Sequence, residues 1–204
     1  MLLSLVSFIL IPVQVYVSQI SSSLIVVTNF TLVILAGLSI CQRLKNNYFY
    51  HGIGVITLIT IWLEFIYPNI DNLKLGRLAS SFLLFLFLSF VLIKQLISDK
   101  SFNLKSILGA ISGFLFIGLI GGVMFETMQY LNPKSFIGVA IENSYTFYYF
   151  SFVSITTVGY GDVTPALPPA QAITILMSIV GQFYLAVVVA VFVGKFLSTN
   201  SKTN

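Results

Sequence analysis

The chain has 204 residues, of which 57% are hydrophobic and only 8% charged, against roughly 25% charged in an ordinary soluble domain. Too few charges remain to coat a water-soluble globule, and at a mean hydropathy of +1.00 the solvent implied is lipid; disorder, collagen, a coiled coil and a disulfide-stapled domain are excluded. The single cysteine, Cys41, has no intrachain partner, and the net charge of +4, spread thinly over ten Lys and Arg, reads as a topology signal and not as a nucleic-acid surface.

A spanning helix needs about 20 apolar residues. That ruler predicts six helices, at Leu2–Ile20, Leu24–Gln42, Gly52–Tyr67, Arg77–Leu96, Leu104–Phe125 and Ala170–Leu197. Ser21 to Ser23, Arg43 to Asn47, Pro68 to Lys74 and Ser98 to Asn103 are the short polar breaks between the first five. The first block has no basic leading region and no small-residue cleavage site, so it is expected to stay as a helix and not to act as a signal peptide. Pro12 is tolerated in a membrane helix where neighbours satisfy the freed carbonyl.

Between the fifth and sixth blocks, Glu142 to Thr156 (ENSYTFYYFSFVSIT) is too polar and too short to span. A helix there, with Asn143 or Ser144 as N-cap, would be roughly 18–20 Å long. It would enter a membrane and leave by the same side, which backbone does only when buried in protein or lining water. With both termini cytoplasmic, seven of the ten cations fall inside: Arg43, Lys45, Lys94, Lys100, Lys105, Lys195 and Lys202. Lys74, Arg77 and Lys134 fall outside, as do Glu64, Asp71, Glu126, Glu142 and Asp162, with Asp99 alone among the acids inside. The distribution fits the cytoplasmic excess of Lys and Arg, and an acidic outer mouth would concentrate cations.

The chemistry is expected in Thr156-Thr157-Val158-Gly159-Tyr160-Gly161-Asp162. Gly159 and Gly161 take positive φ without a Cβ penalty, so successive carbonyls can turn to one side while Val158 and Tyr160 point away. Thr157 adds a hydroxyl at the inner end. The product is a strip of uncharged oxygens able to replace the water of a weakly hydrated cation, and several copies must meet to surround one ion.

This loop, SITTVGYGDVTP from Ser154 to Pro165, resembles the pore loop of the potassium-channel family, and Thr157 to Gly161 is the TVGYG string whose oxygens coordinate the ion in that family. The resemblance implies an all-α membrane protein with six transmembrane helices and a re-entrant pore helix and filter loop between helices five and six. It implies a homotetramer in lipid that passes K⁺ down its electrochemical gradient. K⁺ would be held by the carbonyls of Thr157, Val158, Gly159 and Tyr160 and by the Thr157 hydroxyl, with Gly161 closing the strip and Thr156 and Asp162 supporting it. Tyr148, Tyr149 and Phe150 are similar to the family's aromatic cuff, against which Tyr160 would pack. Gly181, twenty positions after Gly161, is similar to the inner-helix hinge. Glu126 resembles a carboxylate that bonds the outer pore loop, its alternative being a solvated helix end. Val153 stands where some bacterial members place a glutamate to hold Asp162. The carbonyl end of the pore helix would add partial negative charge below the filter.

In the sixth block Gln182 is the only strongly polar residue between Ile173 and Gly194. Gly109/Gly113, Gly118/Gly122 and Ala186/Ala190/Gly194 recur at the four-residue spacing that lets membrane helices approach closely, read as packing of the fifth helix on the sixth. The stripe Leu185, Val189 and Val193 is expected to face the cavity, with Val189 and Val193 as a dewetting gate. The fourth block carries only Arg77 and Lys94, read as snorkelling anchors and too few for voltage sensing. Glu64 and His51 read as interfacial or helix-end residues. The expected organisation is a four-helix region over 1–103, a pore domain over 104–197 and a short tail over 198–204. No cofactor, nucleic-acid partner or enzymatic cluster is expected, no G-x-G-x-x-G motif marks a nucleotide-gating module, and a bacterial inner membrane is the expected site. A less selective cation channel, for which an aspartate at the Tyr160 position would have spoken, and a potassium-transporter subunit are the alternatives.

Overall fold

The computed structural model describes residues 1–18, 21–41, 47–98, 104–138 and 144–200. The expectations placed on Arg43, Lys45, Asp99, Lys100, Glu142, Asn143 and Lys202, and on the side chains of Cys41 and Lys105, lie outside what is described. In chain order the elements are α1 Leu2–Ile9, α2 Ile11–Ser18, α3 Ser22–Cys41, α4 Asn47–Ile66, α5 Asp71–Ser98, α6 Leu104–Leu131, β1 Phe136–Ile137, α7 Tyr145–Ile155, β2 Thr164–Pro165 and α8 Pro168–Asn200. Among the described residues three helices are long and apolar enough to cross a membrane, Asp71–Ser98, Ser106–Leu131 and Pro168–Lys195, and Ser23–Ser39 and Tyr50–Ile66 are shorter apolar helices. Contacts divide the chain inside α5 into two compact units, Met1–Leu88 and Ser89–Asn204.

Several boundaries differ from the hydropathy reading for a common reason: a helix continues through polar residues wherever its backbone bonds are met. Helix α5 begins at Asp71 and takes in Lys74, and α6 runs on to Leu131, which puts Glu126 inside a helix and not at its end. The first block is the opposite case. Expected as one helix, it is broken at Leu10, because Pro12 has no N–H to offer the Phe8 carbonyl and its ring crowds that oxygen. Side chains complete the bonding around the break. Gln14 Nε2 donates to the Ser7 carbonyl (3.1 Å) and hydroxyl (3.0 Å), Ser7 Oγ donates to Asn29 Oδ1 (2.7 Å), and Asn29 Nδ2 donates to Gln14 Oε1 (2.8 Å). This closed ring joins α1, α2 and α3. Beside it Phe8 meets Phe30 edge-on at 4.9 Å, and Phe30 stacks on Phe85 of α5 at 6.2 Å.

Between α4 and α5, Thr60 and Ser80 hydroxyls lie 3.1 Å apart and Arg77 Nε donates to Glu64 Oε2. Arg77 is only 8% exposed, so it is a buried ion-pair partner and not a snorkelling anchor. Its charge is matched inside the protein by Glu64. Most other polar residues of the helices satisfy themselves: the hydroxyls of Thr28, Thr57, Ser112, Thr127, Thr174 and Ser178 each donate to the carbonyl four residues back.

The second unit is built around an aromatic core. Phe125 of α6, Phe136 of β1 and Phe150 of α7 meet pairwise, with centroids 4.9 to 5.5 Å apart. The strand pair was not anticipated, since two residues per strand carry no periodicity. Phe136 opposes Pro165 and Ile137 opposes Thr164 in an antiparallel ladder. Near the end of α8, Lys195 Nζ donates to the Leu96 carbonyl at 2.5 Å and so caps the last turn of α5.

Removing one partner of a buried ion pair leaves the other uncompensated, at a cost of about 3–5 kcal/mol. Arg77→Leu or Glu64→Leu should therefore each lower the thermal unfolding midpoint in detergent, and the double variant should recover most of that loss.

Candidate functional site

Helix α7 is eleven residues long, about 16 Å at the helical rise, and it stops at Ile155 to deliver the loop. Ser144 occupies the N-cap position without a side-chain capping bond. What positions α7 is the glycine face of α6. A Cβ on Gly118 would lie 2.2 Å from the Phe152 ring, one on Gly122 2.2 Å from Tyr148, and one on Gly121 2.3 Å from Ser151 Oγ. Ser151, fully buried, donates across the contact to the Gly118 carbonyl at 2.7 Å. The Gly118/Gly122 pair thus packs α6 on α7, and not on α8 as its spacing alone suggests. Gly113 alone of the two pairs meets α8, where a Cβ would lie 2.4 Å from the Tyr184 hydroxyl, while nothing lies within 4 Å of Gly109 or Gly194.

From Thr156 to Asp162 every residue is exposed in the single chain. The backbone alternates: φ is +61° at Thr157, +58° at Gly159 and +79° at Gly161, with Val158 and Tyr160 between them outside the positive-φ set. For the glycines this was expected. For Thr157, a β-branched residue, positive φ costs on the order of 1–3 kcal/mol. Its N–H donates to the Ser154 carbonyl at 3.1 Å and its hydroxyl to the Thr156 carbonyl at 2.7 Å. Alternation of φ is the backbone condition under which consecutive carbonyls turn to one side.

The aromatic run divides around the helix, since neighbours on a helix point about 100° apart. Tyr148 and Phe150 face α6 and the core. Only Tyr149 reaches the loop, donating to Asp162 Oδ2 at 2.7 Å, while Asp162 Oδ1 accepts from the Val163 N–H at 3.1 Å. Asp162 therefore has a holder one helical turn before Val153, on the same side of α7. Tyr160 is 70% exposed. Hydrogen bonding to Asp162, with some burial and the nearby negative charge, pushes the Tyr149 phenol up from 10.0 to about 12. Glu126 is 2% exposed and accepts from the Tyr148 hydroxyl at 3.4 Å, so the solvated helix-end reading is set aside and Glu126 is no part of an acidic surface.

Gly138 escaped the sequence reading. Its φ is +89°, and a Cβ there would fall 1.9 Å from the Asp162 carbonyl, so only glycine lets the 132–138 loop press on the far end of the strip; an isolated glycine gave no signal of this. Gly181 lies in an unbroken α8, where a Cβ would be 2.7 Å from the Ile155 carbonyl, so close approach is reason enough for a glycine. Val189 and Val193 are exposed on α8, together with Leu185 and Phe183. Among the described residues no group of His, Cys, Asp and Glu could hold a metal ion.

Residues 112–198, from the middle of α6 through the loop to the end of α8, match the model of a family described as ion channel. No curated protein and no solved structure matches the chain significantly. The described residues are thus mainly helical, with three helices among them long and apolar enough to cross a membrane, and the segment 112–198 is similar to an ion-channel family.

A phenol held protonated in this way keeps its bond below 10.0 and loses it as pH rises through about 12. Loop conformation, followed by fluorescence of a probe near Asp162, should stay flat from neutral pH to about 10, and Tyr149→Phe should remove one tyrosine from those ionising near 12 in an ultraviolet titration. Gly118→Ala should cost about 1–3 kcal/mol by overpacking, seen as a lower unfolding midpoint, whereas Gly109→Ala should leave it in place.

Proposed function

We propose that the protein is one subunit of a potassium-selective channel, a homotetramer whose four Thr157–Gly161 strips line a common axis. The observation that carries this reading is the exposed strip itself, an uncharged TVGYG segment with alternating φ at the end of a short, clamped helix. Carbonyls of Thr157, Val158, Gly159 and Tyr160 and the Thr157 hydroxyl would replace the hydration shell of K⁺. The exposed Val158, Tyr160 and outward apolar face of α8 are surfaces that neighbouring copies and lipid would cover, and an ion cannot be surrounded by one strip. Thr156, Tyr149 and Asp162 support the strip at its two ends, with Phe150 and Glu126 behind the pore helix.

In this reading the N-terminal helices complete six spans in a bacterial inner membrane with both termini cytoplasmic, and transport is passive with no cofactor beyond the ion. Val189 and Val193 form a dewetting constriction on the inner helix, and Gly181 gives it freedom to bend. Opening depends weakly on voltage, because α5 carries one arginine and that one is neutralised by Glu64.

Planar-bilayer recording with potassium on one side and sodium on the other tests the proposal. A reversal potential near the potassium equilibrium value and block by barium are expected; equal permeability to the two ions would replace the reading with a weakly selective cation channel. Gly159→Ala, which puts a Cβ on a φ of +58°, should abolish selective current while circular dichroism still reports the full helix content.

A further inference from the structure

The last four carbonyls of a helix have no donor within it. In α7 these belong to Phe152, Val153, Ser154 and Ile155. Three are met by the residues that follow. Phe152 O accepts from the Thr156 N–H (3.1 Å) and hydroxyl (2.6 Å), Ser154 O from the Thr157 N–H (3.1 Å), and Val153 O from the N–H groups of Val158 (3.1 Å) and Gly159 (3.4 Å). The carbonyl end of the pore helix is therefore stitched to the start of the strip. The fourth oxygen is served from elsewhere: Ile155 O accepts from Gln182 Nε2 at 3.3 Å, 27 residues further along the chain in α8.

Gln182 is the polar residue that the sequence left without a role. A carbonyl can only accept, so the amide must present its NH₂ end to Ile155. Gly181 makes the reach workable, because any side chain there would meet the same oxygen at 2.7 Å. Gln182 is otherwise exposed, and with Ser178, Ile179, Phe183 and Ala186 it lines an open hollow of about 490 Å³ on α8. A side chain that bridges two helices while facing an open hollow acts on both.

We infer that Gln182 is a positioning residue that fastens α8 to the carbonyl end of the pore helix and moderates the negative potential this end presents to cations in the adjoining hollow. The contact stands on geometry alone; its ionic consequence rests on the channel reading above. The carbonyl end of a helix carries a partial negative charge, and the amide N–H donated to its last oxygen offsets part of it. Without that donor the Ile155 oxygen faces the hollow unmatched, and a cation there is held more tightly.

Two measurements on the full-length protein in lipid vesicles test this. The first is the backbone ¹³C carbonyl resonance of Ile155 by solid-state NMR, in wild type and in Gln182→Met, which keeps length and flexibility but has no donor. The second is block by tetrabutylammonium applied from the side of the hollow. Gln182→Met should shift the Ile155 resonance and tighten block about fivefold, the equivalent of one net hydrogen bond of ~1 kcal/mol. Gln182→Glu, which sets a carboxylate against the carbonyl, should tighten it further. Gly181→Ala, which keeps the donor and forces the helices apart, should move the resonance as Gln182→Met does. An unmoved resonance in Gln182→Met, or a moved one with unchanged block, overturns the inference. The NMR reading needs no current, so a shifted resonance in a protein that passes no potassium would sustain the contact and sink the channel reading instead.

Discussion

The loop from Thr156 to Asp162 has almost no packing of its own, and its shape depends on how closely α7 lies against α6. Gly118, Gly121 and Gly122 give α6 a face without side chains, and Phe152, Ser151 and Tyr148 fill it to contact distance. In lipid, apolar side chains gain little by leaving their surroundings, so close packing and interhelical hydrogen bonds are the forces left to join helices. The Ser151 bond to Gly118 and the Tyr148 bond to Glu126 lie in this same contact. With α7 held, its terminal carbonyls fix the first four residues beyond it, and the left-handed turn at Thr157 is the strain that geometry imposes.

A second constraint acts throughout the chain. Polar groups inside an apolar bundle must find partners within the protein. Many helical hydroxyls do so locally, through the carbonyl four residues back, whereas Ser81 Oγ and Ser89 Oγ are buried without a hydrogen bond. Where a helix is interrupted the solution becomes long-range: Gln14 and Asn29 at the Pro12 break, Gln182 at the end of α7, Lys195 at the end of α5. Each serves backbone or amide groups that a helix end or a proline has left open. These contacts are the places where one element learns the position of another.

The membrane character, the main helices, the short non-spanning helix and the peculiar loop were legible from residue order, because hydropathy blocks, glycine positions and the TVGYG string are local properties. Boundaries were less so. Helices α5 and α6 run through Asp71 and Glu126 because backbone bonding, and not hydropathy, ends a helix. The roles of individual side chains were hardest to read. Tyr148, Tyr149 and Phe150 look alike in a row, yet helix rotation sends one to Asp162 and two into the core. Arg77 and Glu64 look interfacial by position in the sequence, yet they neutralise one another.

By itself the sequence determined the solvent, the approximate helices and a strip of backbone whose glycines permit positive φ, since these follow from composition and from conformational preferences of single residues. Only the tertiary structure decided which helix the α6 glycines receive, what holds Asp162 in the absence of a glutamate, and that Gln182 donates to the last carbonyl of α7. Those choices depend on distances between residues tens of positions apart, and a chain's order encodes them only through the packing it produces.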